Sequence, residues 1–139
     1  MSSIYDVFSE DKLKEAESFT LVIQDGETSI SFQLARAGGT NKAFATRLNA
    51  LMKPYKYAMQ KGTMKDEDAE RILCQALAGT VILGWENVFD RDGEPVEYTE
   101  DAAVKLLMDL PSLRQIIQDE ASDIKNFLES ERQETLGKS

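Results

Sequence analysis

A chain of 139 residues with 42% hydrophobic and 29% charged side chains has the composition of one globular unit, long enough to bury a core without staples. It holds no histidine, which removes His-based triads and the commonest zinc sites, and its one cysteine, Cys74, excludes an internal disulfide. The net charge of −9 is uneven: no acid lies between Glu27 and Asp66, so Arg36, Lys42, Arg47, Lys53, Lys56, Lys61 and Lys65 leave +7 there and −16 elsewhere. A chain polarised in this way pairs its ends within one molecule, pairs head to tail between molecules, or meets a charged partner.

Residues 1–16 lack both a basic leader and a long apolar run, so no signal peptide is predicted. The longest apolar run is roughly half of the ~20 residues a membrane span needs, and the chain is expected to be soluble. This first stretch reads as an arm: Ile4, Tyr5, Val7 and Phe8 form a short apolar cluster ahead of a charged run. Tyr5 and Phe8 either dock on the body or serve a partner. Runs of β-formers at 19–23 and 29–34 flank Asp25-Gly26, a hairpin signal because a tight turn needs residues that tolerate positive φ. Ile30, Phe32 and Leu34 alternate with Ser29, Ser31 and Gln33, which predicts one buried and one wet face. An open edge of this hairpin is a candidate self-association surface.

Gly38-Gly39 ends the strand without the spacing or the Gly-Lys-Ser/Thr ending of a phosphate loop, and Thr40 or Asn41 is expected to cap the next helix. Phe44, Leu48, Leu51, Met52, Tyr55 and Met59 keep helical spacing on one side, with Lys42, Lys53 and Lys56 on the other. Pro54 is expected to kink or restart that helix. A basic helix face suits nucleic acid, but the overall −9 opposes phosphate binding, and a solvated or protein-binding face is the reading adopted.

Lys61-Gly62 closes this segment, and Thr63 with Asp66 resembles a capping box for the next helix. Its inner stripe, Ala69, Ile72, Leu73, Ala76, Leu77 and Thr80, runs into an apolar stretch at 76–85 that is predicted to continue as a core helix. Gly79 and Gly84 inside it suggest close backbone packing. The acidic turn Asp90-Arg91-Asp92-Gly93-Glu94-Pro95 fails the calcium-loop register, since glycine is fourth rather than sixth. Thr99 caps a short helix with Ala103, Leu106, Leu107 and Leu110 inward, and Pro111 opens a last helix whose stripe reaches Leu128. The expected architecture is α+β and mostly helical: an N-terminal β-hairpin followed by four to five bundled helices. The arm spans 1–16, a single domain 17–128, and a polar tail, predicted to be disordered, 129–139.

Three stretches, ARAGGTNKAF at 35–44, MKPYKYAMQKGT at 52–63 and VILGWENVFDRDGEPVEYTEDAAVKLLMDLPSL at 81–113, together resemble the tail assembly chaperones of long-tailed bacteriophages. The likeness covers about residues 4–128. It implies a non-enzymatic protein that binds the tape measure protein, keeps it soluble and helps recruit tail-tube subunits. It also implies action in the host cytoplasm and absence from the mature virion. Such families often add a longer, frameshifted form. Leu136-Gly137-Lys138 permits the codons CTG GGA AAG, which contain a slippery heptamer in phase.

A holder of long helices needs an exposed apolar surface ringed by charge. The candidate partner-binding residues are therefore Tyr5 and Phe8 on the arm, and Lys42, Met52, Lys53, Tyr55, Lys56 and Met59 on the basic helix. Many copies are expected along one tape measure chain, with self-association through the hairpin edge. No catalytic residue, cofactor, metal, nucleic acid or membrane is assigned. The rival reading is an acidic phage inhibitor that mimics nucleic acid and binds a host protein, which the −16 favours and the +7 opposes. An enzyme is disfavoured by the missing histidine, the buried-type cysteine and the absent phosphate loop.

Overall fold

The computed structural model describes residues 17–39 and 41–128. The arm, the tail, Thr40 and the Leu136-Gly137-Lys138 end lie outside the described residues. The β-forming runs pair as expected. Strands β1 (Ser18–Asp25) and β2 (Thr28–Ala35) form an antiparallel hairpin in register from Ser18↔Ala35 to Asp25↔Thr28. Gly26 turns it at φ +62°, a left-handed conformation that costs glycine little. Phe19, Phe32 and Leu34 are buried on one side, and on the other Gln33 bridges Ser18 and Thr20 in a polar ladder.

Five helices follow among the described residues: α1 (Lys42–Met52), α2 (Lys56–Lys61), α3 (Asp66–Leu77), α4 (Glu100–Asp109) and α5 (Pro111–Ser122). The class is α+β and mostly helical. Pro54 acts as its chemistry dictates, because α1 and α2 are separated by a 3₁₀ turn at Lys53–Tyr55. Gly62, at φ +70°, ends α2 in the left-handed cap that glycine favours. Thr99 caps α4 by accepting from the Ala102 amide at 2.9 Å.

Other caps differ from expectation. Asn41 precedes α1 without capping it; its amide instead donates to the Arg36 and Thr80 carbonyls at 2.8 and 2.7 Å, tying the β2–α1 loop to the turn after α3. Thr63 donates back to the Ala58 carbonyl at 3.4 Å and closes α2 rather than opening α3, which starts at Asp66. The last stripe is interrupted at Asp123, after which a 3₁₀ turn, Ile124–Phe127, completes the fold.

The main correction concerns residues 76–85. The helix ends at Leu77, Ala78 is extended, Gly79 turns at φ +81°, and residues Ile82–Glu86 form a third strand, β3. The sheet order is β1-β2-β3, with β3 antiparallel to β2 through Phe32↔Trp85 and Gln33↔Gly84. An apolar run of this kind fits a buried helix or a buried strand equally well by pattern. The left-handed glycine ends the helix and the β-branched Val81-Ile82 pair favours a strand, and the free edge of β2 that receives it decides. A bulge between Gln33 and Leu34 leaves Leu83 without a partner and 43% exposed.

Sheet and helices close over one apolar cluster that includes Phe32, Leu34, Cys74, Leu77, Val81, Ile82, Leu107, Ile117 and Phe127. Phe19 meets Phe127 edge-on at 4.9 Å, and Trp85 stands between Phe32 and Tyr98 in two further edge contacts, the geometry ring quadrupoles prefer. In chain order, α1 packs on α3, α3 on α4 and α4 on α5.

Candidate functional site

Two surfaces combine exposed apolar side chains with a groove or cavity, while Val22, Leu83 and Ile116 are exposed elsewhere. The first is the α1–α2 side. Neither helix has a fully buried residue; α1 packs chiefly on α3. Met52 and Tyr55 are half-buried and Met59 is 44% exposed. At spacings of three, four and seven residues these three line one side of the helical segment. Lys53 and Lys56 are exposed beside them, and Lys42 is exposed at the start of α1. The ion pairs of the described residues are Arg47–Glu100, Arg71 with Glu67 and Asp68, Lys105–Asp109 and Arg114–Glu70, so none of the α1–α2 lysines is neutralised there. Lys61 lies 5.5 Å from the centre of the Tyr57 ring, which is itself 71% exposed. Beneath this stripe a groove of about 280 Å³ separates Ala50, Leu51, Pro54 and Tyr55 from Asp68, Arg71, Ile72 and Gln75 of α3.

Of the residues singled out from sequence, the structure thus brings Met52, Lys53, Tyr55, Lys56 and Met59 onto one continuous surface. Lys42 stands apart at the start of α1. Tyr5 and Phe8 lie outside the described residues.

The second surface is one that sequence reasoning missed. A cavity of about 410 Å³ opens between the turn after β3 and α4, lined by Phe89, Val96, Ala102, Leu106 and Leu110, with Asp90, Arg91, Asp92, Lys105 and Asp109 around them. Leu110, expected to face the core, is 44% exposed and lines this cavity, whereas Leu106 packs against the core as expected and also borders the cavity. Only Ala103 and Leu107 of α4 are fully buried, since the turn crosses the helix on a neighbouring side. The turn is rigidly specified: the Asp90 carboxylate accepts from the Asp92 and Glu94 amides, both at 2.9 Å, and Val96 pairs back to Val88. Phe89, 53% exposed, was the available sequence signal, a large apolar residue beside a tight polar turn.

Electrostatics inside the body are structural in character. The Arg47 guanidinium reaches from α1 to Glu100 at 3.2 Å and also donates to the Ala78 carbonyl, joining α1, the α3–β3 turn and α4. Burial raises the Cys74 thiol above its ordinary value of 9.0, against a smaller lowering by Arg114. Burial likewise raises Tyr98 above 10.0; its hydroxyl donates to the Ile82 carbonyl. Among the described residues no three metal-binding side chains converge, and no helix is long and apolar enough to cross a membrane. What both surfaces offer chemically is apolar contact area framed by fixed charge.

A family model described as YdaY prophage protein matches residues 39–138. The chain belongs to the YdaY prophage protein family. It is accordingly a phage-related protein, and the matched region holds α1 through α5, β3 and both surfaces while leaving out the hairpin. Neither a search of curated proteins nor one of solved structures returns a match. Membership in the YdaY family gives a prophage origin; it does not extend to a tail assembly role.

Proposed function

We propose that this YdaY-family protein is a non-enzymatic tail assembly chaperone that holds amphipathic helices of a tape measure protein on its α1–α2 side and helps recruit tail-tube subunits. The observation that carries the reading is a half-exposed apolar stripe, Met52, Tyr55 and Met59, flanked by unneutralised Lys53 and Lys56 on helices with no buried residue. A client helix has to be covered and later released. Thioether side chains adapt to varied apolar partners, and exposed lysines set orientation and encounter rate more than affinity. The prophage family and the resemblance of its three sequence stretches to tail chaperones support the same assignment.

Co-expression with the tape measure protein of the same prophage tests it. The expected outcome is a co-purifying complex with several copies per client, in which the pair Lys56→Glu and Met59→Glu weakens binding about tenfold or more. Absence of any complex would overturn the assignment. The frameshifted longer form is a separate matter that the gene decides, since a GGC or GGT codon at Gly137 removes the slippery heptamer.

A further inference from the structure

The cavity between the 89–96 turn and α4 has no occupant within the described chain, although Phe89 and Leu110 stand at its mouth 53% and 44% exposed. Its surroundings are acidic. Residues 90–101 contain six acids against Arg91 alone, and Lys105, which also lines the cavity, is held by Asp109 at 3.1 Å. The α1–α2 side has the opposite character. Residues 42–65 contain six cations and no acid, and of these only Arg47 is ion-paired among the described residues. Each surface therefore presents apolar side chains within a field of one sign, and the two signs are opposite.

We infer that the cavity receives the α1–α2 stripe of a second copy of this chain, Met59 entering between Phe89 and Leu110 while Lys53 and Lys56 face the acids of residues 90–101. A volume of about 410 Å³ falls in the range of pockets that take a small ligand or a few side chains. Complementary patches steer such an encounter and fix its register. The stripe and the cavity share no residue, so one molecule engages two neighbours at once. The contact is heterologous, and copies join head to tail into a ring or an open chain. It is distinct from pairing through the β1 edge, which would be isologous and end at a dimer. It requires no client and stands or falls separately from the chaperone assignment.

Sedimentation velocity on the full chain alone provides the test. Self-association is expected to strengthen from about 500 mM to about 50 mM salt, because exposed charges are screened beyond a Debye length. Phe89→Ser, which removes the cavity rim, and Met59→Ser, which removes the inserted side chain, are each expected to weaken association about tenfold or more. Both positions are exposed, and the mixture provides the control for folding. Each variant keeps the surface that the other lacks, so the two together form a one-to-one complex that grows no further. A chain that stays monomeric at low salt overturns the inference. So does a dimer indifferent to both substitutions, the signature of the strand edge, or a pair of variants that fail to complement each other.

Discussion

At the scale of single residues, Cys74 and Arg114 show how polar groups are accommodated near the core. The Arg114 side chain is only 12% exposed and sits 3.7 Å from the Cys74 sulfur, 3.5 Å from the Leu107 carbonyl and 3.9 Å from Glu70. Replacing it by Ala is expected to cost about 1–3 kcal/mol, the range for stranding buried polar partners; a lower urea midpoint and faster thiol labelling of Cys74 would register it. Cys74 and Tyr98 both bind their protons more tightly when folded, since burial raises each above its ordinary value. Their contribution to stability is thus fully present below pH 9 to 10 and lost as pH rises further. Urea midpoints compared between about pH 8 and about pH 11 should fall, and Tyr98→Phe should flatten the upper part of that fall. An unchanged midpoint in the wild type would contradict the sign.

At the scale of elements, the α3–β3 junction is the decisive feature. Gly79 adopts φ +81°, and a Cβ added there would fall inside the Glu100 carboxylate. Gly79→Ala is expected to destabilise the fold by about 1–3 kcal/mol through a left-handed non-glycine residue. The Glu100 carboxylate must also move, which disturbs its ion pair with Arg47. A thermal melt of Gly79→Ala, with Gly93→Ala as a comparison at an open left-handed position, separates the collision from the backbone cost. The sequence marks this glycine plainly, yet its consequence is tertiary. Whether residues 82–86 continue a helix or join β2 depends on Phe32 and Gln33, some fifty positions earlier, offering a free strand edge. The hairpin, the Pro54 interruption, the Gly62 cap and the Thr99 cap were legible for the opposite reason: each is specified by residues within a few positions of one another.

At the scale of the whole molecule, charge polarity and exposed apolar area coincide on the same two surfaces. If one stripe serves both a client helix and the cavity of the next copy, the two compete for it. Adding a peptide from the client's amphipathic helix should then dissociate the head-to-tail assemblies, with the sedimentation coefficient falling as peptide is titrated. Coexistence of full assembly and full peptide binding would place the two contacts on different surfaces. Under the proposed function, such competition would keep the apolar stripe covered until a client arrives, by simple mass action.

The amino-acid sequence by itself determined the segregation of seven cations into residues 28–65, the first hairpin and most helix boundaries, because these follow from composition, periodicity and nearby turn chemistry. Only the tertiary structure decided that the most apolar stretch is a strand, that Asn41 fastens a loop instead of capping a helix, and that Leu110 lines a cavity instead of the core. In each case the outcome turns on which distant partner a side chain meets, and hydrophobic pattern records how much surface must be buried without recording against what.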